Sequence, residues 1–186
     1  MRLLTQRLIL RSWRDSDRQP FAEMSEDADV MEHLRPLATR DACNAWIDFQ
    51  INHQSSHGFC LWALESRASG LFMGAAGLLH VSFVARFTPA VEVGWRLARP
   101  FWEQGFAVEA AQAALQFGFE EIRLTEVVAH ANVQNVRSRR VMAKLAMSHD
   151  CAEDFDRPGI PESDPLRRQA LYRLTRDAWL SRRDVL

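Results

Sequence analysis

The spacing of apolar and polar positions changes period several times along the chain, and each change marks an element. Residues 91–97, VEVGWRL, are β-branched and aromatic-rich, which predicts a strand. Pro100 cannot donate to a ladder, so that strand ends before it. From Ala107 the spacing becomes helical, with Ala107, Ala110, Ala111, Ala114, Leu115 and Gly118 on one stripe. The stripe is nearly all small, so the helix can lie close on a sheet. Between strand and helix, residues 101–107 form a loop with one glycine, Gly105.

Upstream, residues 3–13 are rich in Leu and Ile and predict the first strand. Asp15, Ser16 and Asp17 offer N-cap residues for a helix running to about Ser25. A short helix near 27–34 is broken by Pro36. Thr39 caps a longer helix carrying Cys43, Trp46, Ile47 and Ile51. Residues 59–65 and 71–80 read as strands joined at Ser69-Gly70, an antiparallel hairpin, and 82–90 as a loop. Downstream, 124–131 predicts a parallel partner for residues 91–97 through a right-handed crossover. A turn, a helix over 136–145, a strand over 146–151, a proline-rich loop, a strand over 170–174 and a helix over 177–183 complete the chain. The fold class predicted is α/β: residues 1–186 as one domain, with a mixed sheet of about six or seven strands flanked by helices.

Composition narrows the function classes. At 186 residues, 47% hydrophobic and 25% charged, the chain suits one soluble domain with a sizeable core. The formal net charge of −1 provides no global field to recruit nucleic acid or an anionic membrane, and neither is expected as a partner. Lys144 is the only lysine, so the basic groups are almost all arginine forks suited to phosphate and carboxylate. Cys43, Cys60 and Cys151 show neither metal spacing nor a disulfide framework, and read as free buried thiols. Arginines at 2, 7 and 11 interrupt any signal-peptide core, and no apolar run has membrane-spanning length. A cytoplasmic location is expected.

A strand, a glycine turn and a helix N-terminus together present free N–H groups and the positive dipole end to an anion. The lysine and hydroxyl of a Walker loop are missing, as are two glycines of the dinucleotide fingerprint. A phosphate-bearing ligand without a required metal fits better. The run GWRLARPFWEQGFAVEA resembles the acetyl-CoA pyrophosphate loop of the GNAT N-acetyltransferases, in the form of their RimJ/RimL-type branch. RLILRSWRDSD, FAEM and DVMEHL resemble that branch's first strand and first two helices, which form one wall of the acceptor pocket. HANVQNVRSRRVMAKLAM resembles its N-x-x-S motif, with Asn135 and Ser138 in the matching places. The predicted element order is similar to the GNAT order from end to end. One departure stands out, since Ala146-Met147 replaces the usual Gly-Phe.

The resemblance implies acetyl-CoA as co-substrate, no metal, and direct transfer of the acetyl group to a primary amine. The fourth and fifth strands splay in that family, so Trp95, Arg96 and Leu97 would line the coenzyme arm, Arg96 and Leu97 lending backbone groups, with Leu97 N–H polarising the thioester carbonyl. Gln104, Gly105, Phe106 and Ala107 would hold the pyrophosphate. Asn135 would touch the pantetheine arm, and Ser138 would protonate the departing thiolate. From the residues alone, Asn135 also reads as a helix N-cap. Arg137, Arg139 and Arg140 read as a solvated face, or Arg140 or Arg137 meets the coenzyme 3′-phosphate. Gly94, inside a strand, would allow a bulge or a close backbone approach.

Glu92 lies among apolar neighbours and suits a general base; it also shares a strand face with Arg96, which would make it an ion-pair partner instead. His80 and His130 are the other base candidates, each with a capping or surface reading beside it. No Ser-His-Asp order, paired-cysteine zinc spacing or H-x-x-x-H helix is singled out, so no metal ligand is assigned. The partners expected are an amine acceptor, either a peptide N-terminus or a small molecule, and a second copy in a homodimer. Two other classes stay open on sequence: a catalytically silent acyl-CoA-binding module acting as sensor or subunit, and a nucleotide-phosphate-binding domain.

Overall fold

In a computed structural model, residues 2–183 are described, with side chains to 181. The sheet is built outward from β5 (Val91–Leu97), whose bounds are those predicted. Every residue of β5 is in antiparallel register with β4 (Phe72–His80), from Gly74 opposite Leu97 to His80 opposite Val91. On its other side β5 meets β6 (Glu126–Asn132) in parallel at one register pair only, Glu92 with Val128. The two strands then diverge.

Before them come β1 (Arg2–Leu4), β2 (Leu8–Arg11) and β3 (Leu61–Ser66), all antiparallel neighbours; after them come β7 (Ser148–His149), β8 (Phe155–Asp156) and β9 (Arg168–Thr175). The order is β1-β2-β3-β4-β5-β6-β9-β7, with β8 also on β9. The mixed sheet thus has nine strands among the described residues, more than the six or seven predicted. Residues 3–13 split into β1 and β2 because Thr5 turns back: its Oγ1 accepts from Leu8 N at 2.8 Å. The predicted strand over 146–151 shrinks to β7, with Cys151 in a 3₁₀ turn and exposed.

The helices are α1 (Arg18–Glu26), α2 (Ala28–Met31), α3 (Arg40–His57), α4 (Phe106–Gln116), α5 (Val136–Lys144) and α6 (Arg176–Arg183). None is long and apolar enough to cross a membrane. Thr39 caps α3 as expected, accepting from Ala42 N at 3.1 Å. Asp17 behaves differently. Its carboxylate receives two bonds from the Arg11 guanidinium, at 2.7 and 2.8 Å, and one from Arg14 N at 2.8 Å. Arg11 also donates to Glu65 at 2.7 Å, so a buried ion network ties β2, β3 and the start of α1. The alanine stripe of α4 is fully buried at Ala110, Ala111 and Ala114, in one core with Val91, Val93 and Leu97.

The irregularity expected at Gly94 lies instead on β4. A Cβ at Gly74 (φ +139°) would fall 2.1 Å from Arg96 O, whereas one at Gly94 would touch only the Leu61 side chain at 3.4 Å. The departure at Ala146 also has a geometry. Helix α5 ends with Ala146 N bonded to Ala143 O and Met147 N to Met142 O, a Schellman closure that puts Ala146 at φ +47°. A left-handed L-residue costs about 1–2 kcal/mol, against about 0.4–1 kcal/mol of extra chain entropy for glycine. Ala146→Gly should therefore stabilise the protein by about 0.5–1 kcal/mol, raising the melting temperature by roughly 1–4 °C in calorimetry. A lower melting temperature would contradict this account of the helix end.

Candidate functional site

A cavity of about 370 Å³ opens where the end of β5, the start of α4 and α5 converge. It is lined by Trp95, Arg96, Leu97, Gly105, Phe106, Ala107, Asn135, Ser138 and Arg140, so nine of the residues singled out in the sequence come together here. Gly105 sits at the α4 N-cap with φ +82°, a conformation open to glycine. Its carbonyl accepts the first helical bond, from Glu109 N at 3.0 Å. The amides of residues 106–108 precede that ladder and face the anion-favouring end of the helix dipole.

The loop is held from outside by a tether that the sequence reading missed. Arg7 donates from Nη1 to Gln104 O at 2.9 Å, and from Nε and its amide to Glu109 at 2.6 and 2.7 Å. Thr5 Oγ1 adds a bond to Glu109 at 2.6 Å, and the Arg7 guanidinium lies 4.3 Å over the Phe106 ring. Burial pushes the Glu109 pKa up, but the bonds from Thr5 and Arg7 outweigh it and hold the carboxyl below its usual range. Gln104 serves the loop and does not line the cavity: its side chain donates to Pro100 O at 2.7 Å.

Backbone direction follows from strand alternation. Ala98 N donates to Met73 O on the β4 side, so the amides of Arg96 and Gly94 also face β4. Those of Trp95 and Leu97 face the gap that β6 leaves. Arg96, expected to lend a backbone group to the coenzyme, therefore has its amide turned the other way. Leu97 O, also on the gap side, accepts from Trp102 Nε1 at 2.7 Å.

On α5, Asn135 is an N-cap, its Oδ1 accepting from Ser138 N at 3.0 Å. Arg139 is used internally, donating to Val133 O and Tyr172 Oη. Arg137 lies 4.6 Å over the Trp102 ring and 3.8 Å from Glu32. Arg140 and Lys144 remain on the cavity rim without an ion pair among the described residues.

Glu92 does not pair with Arg96. Its Oε2 is 2.7 Å from Nε2 of His130, a nearly buried side chain whose Nδ1 lies 3.2 Å from Gln169 Oε1. Phe83 and Phe155 close on the imidazole edge-on, each 5.6 Å between centroids. Arg157, from the proline-rich loop, lies 5.2 Å over Phe83; burial lowers its pKa, and the nearby Glu92 charge partly offsets this. Carboxylate and imidazole thus stand together at the one position where β5 and β6 pair. Arg96 instead has its guanidinium 5.4 Å over Trp46 and 5.8 Å over Phe21. Burial pushes it down to about 10, and its Nη1 has no hydrogen-bond partner among the described residues. His80, the other base candidate, faces His53 and His57. His53 and His57 are an H-x-x-x-H pair on α3, which the sequence reading passed over.

Residues 7–148 match a family model described as an acetyltransferase (GNAT) domain. The chain is 30% identical to the uncharacterised protein YkkB of Bacillus subtilis (strain 168), over 80% of this chain and 86% of that one. It is also 30% identical to an FsC-acetyl coenzyme A-N(2)-transacetylase of Aspergillus fumigatus, over 96% of this chain and 77% of the other. Among solved structures, RimL, a ribosomal L7/L12 alpha-N-protein acetyltransferase in complex with coenzyme A, matches with a TM-score of 0.76. That match covers 96% of this chain and 99% of RimL at 14% identity, a likeness of fold. With its sheet, its loop and most of its length matched, this chain is an enzyme of the GNAT acetyltransferase family.

Proposed function

We propose that the enzyme transfers the acetyl group of acetyl-CoA to an α-amine, on a protein N-terminus or a small molecule, in the manner of the RimJ/RimL-type branch. The observation that carries this reading is the continuity of one cavity from the α4 N-terminus to the amides of β5 that β6 leaves unpaired. The residues fit the coenzyme: free helix amides and a cationic rim for phosphates, and a strand edge for an amide-bearing arm. When bound, acetyl-CoA supplies the acetyl group as a thioester and carries away the thiolate. The Leu97 amide donates to the carbonyl oxygen on which charge gathers, a contribution of about 3–4 kcal/mol by analogy with other oxyanion donors. Glu92 and His130, which stand outside the cavity lining, take up the proton of the attacking amine by relay through water. Ser138, on the cavity wall, is the donor for the leaving sulfur. Asn135 spends its oxygen on the helix cap and keeps its amide nitrogen for the coenzyme arm.

The acceptor follows from protonation. An α-amine titrates near about 7.7–8.0 and a lysine near about 10.4, so at pH 7 about one α-amine in ten is neutral, against about one lysine in 2,500. A single carboxylate–imidazole pair suits the easier deprotonation. The names of relatives point the same way, since one specifies an N(2) nitrogen and another an α-N-protein acceptor.

Three outcomes are expected. Gly105→Val, which places a branched side chain at a left-handed position beside Arg7, should weaken acetyl-CoA binding at least about tenfold in calorimetric titration. Unchanged binding with an intact melting profile would remove the site from this loop. Arg140→Ala should weaken CoA several-fold while leaving 3′-dephospho-CoA unaffected; equal losses for both would assign Arg140 another role. In an acceptor screen at pH 7, Glu92→Gln should slow acetylation of an α-amine about tenfold, matching the neutral fraction, with recovery as pH rises toward about 9. Efficient lysine side-chain acetylation at pH 7, abolished by the same change, would overturn the acceptor assignment.

A further inference from the structure

We propose that His53, His57 and His80 form a binding site for one zinc-class divalent transition-metal ion, separate from the coenzyme cavity. The three histidines sit where the C-terminus of α3 meets the end of β4. On α3 the i, i+4 spacing puts His53 and His57 on one helix face. Gly58 then reverses the chain with φ +82°, which brings Phe59 O back to 2.7 Å from His53 Nδ1. A carbonyl can only accept, so Nδ1 carries the proton and the Nε2 lone pair is left outward. This bond also orients the ring as an outer-shell partner orients a metal-bound imidazole.

His53 Nε2 faces His80 Nδ1 at 3.1 Å. With zinc–nitrogen bonds of about 2.0–2.1 Å, two ligand atoms of a tetrahedral site stand about 3.3 Å apart, so this pair is already close to the edge length needed. One nitrogen from each of the three rings lies within 4.8 Å of the others. The ring centroids are 4.5 Å apart for His53–His57 and for His57–His80. An ion would displace two bonds to His53 Nε2, one from His80 Nδ1 at 3.1 Å and a longer one from the His80 amide at 3.3 Å.

The ligand chemistry selects the metal. Three imidazoles and no carboxylate make a nitrogen site, suited to zinc, nickel or copper rather than calcium or magnesium. Metals take the neutral imidazole. His57 is exposed, which leaves an entry path and a fourth position for water. His80 is the register partner of Val91, the residue before Glu92, so a bound ion would pin α3 to the end of the sheet that carries the Glu92–His130 pair. The site stands on these three side chains alone and does not depend on the acceptor or coenzyme assignments.

The test uses the full, untagged chain freed of metal by a chelator and then titrated with zinc chloride in a calorimeter. The expected result is one equivalent bound at micromolar affinity or tighter, with a higher melting temperature; calcium and magnesium chlorides should give no saturable heat. Cobalt(II) in the same site should show the intense visible bands of tetrahedral nitrogen coordination. His57→Gln and His80→Gln should each weaken zinc binding on the order of 100-fold or more, since even outer-shell losses cost about 10–100-fold. Melting profiles of both metal-free variants verify the fold, and both substituted positions are exposed. Absence of saturable zinc binding, or wild-type affinity in either variant, would overturn the site.

Discussion

The structure depends on an unequal sharing of β5. On one side the strand is fully bonded to β4; on the other it touches β6 once, at Glu92 and Val128, and then stands free. A strand left unpaired inside a sheet carries amides and carbonyls that must find partners elsewhere. One is satisfied internally, Leu97 O by the Trp102 indole. The amides of Trp95 and Leu97 are aimed into the gap, beside the helix N-terminus at Gly105. The cavity thus lies at the C-terminal end of a single strand and the Glu92–His130 pair at its N-terminal end.

What keeps the gap open is packing on either side of it. The small residues of α4 let that helix lie flat on β4 and β5, so the strand cannot relax toward β6 without breaking a close-packed face. The far edge of the loop is fixed by Arg7 and Thr5 gripping Glu109. These polar bonds arrive from the first hairpin and lock the first turn of α4, which supplies the free amides. On the other wall, the Arg137 guanidinium over Trp102 joins α5 to the same loop. The N-terminal end of α4 is therefore pre-organised by groups outside the cavity's own free amides.

Much of this was legible in the sequence where local pattern and tertiary role agree. Val91–Leu97 was readable to the residue because its composition and its proline stop say the same thing as its burial. The alanine stripe and Gly105 were readable for the same reason, and so was the Asn135 cap. Longer-range bonds left no local signal. Nothing near Thr5 announces Glu109, and Glu92 gives no hint that His130 rather than Arg96 is its neighbour. Arg157 and Phe83 lie in segments that read only as loops, yet they close on the Glu92–His130 pair. The histidine cluster was half visible, in the His53 and His57 spacing; its third member comes from β4 and needed the fold.

The central claim is that the unpaired edge of β5 receives the coenzyme as an added strand would be received. Amide hydrogen exchange resolved by residue in ¹H–¹⁵N spectra tests it most directly. In the free enzyme, Arg96 and Ala98, bonded to β4, should already be protected, while Trp95 and Leu97 exchange fast. Saturating acetyl-CoA should slow exchange at Trp95 and Leu97 and leave Arg96 and Ala98 unchanged. If acetyl-CoA saturates the protein and Leu97 and Trp95 go on exchanging as before, the coenzyme does not lie in the gap, and the account fails.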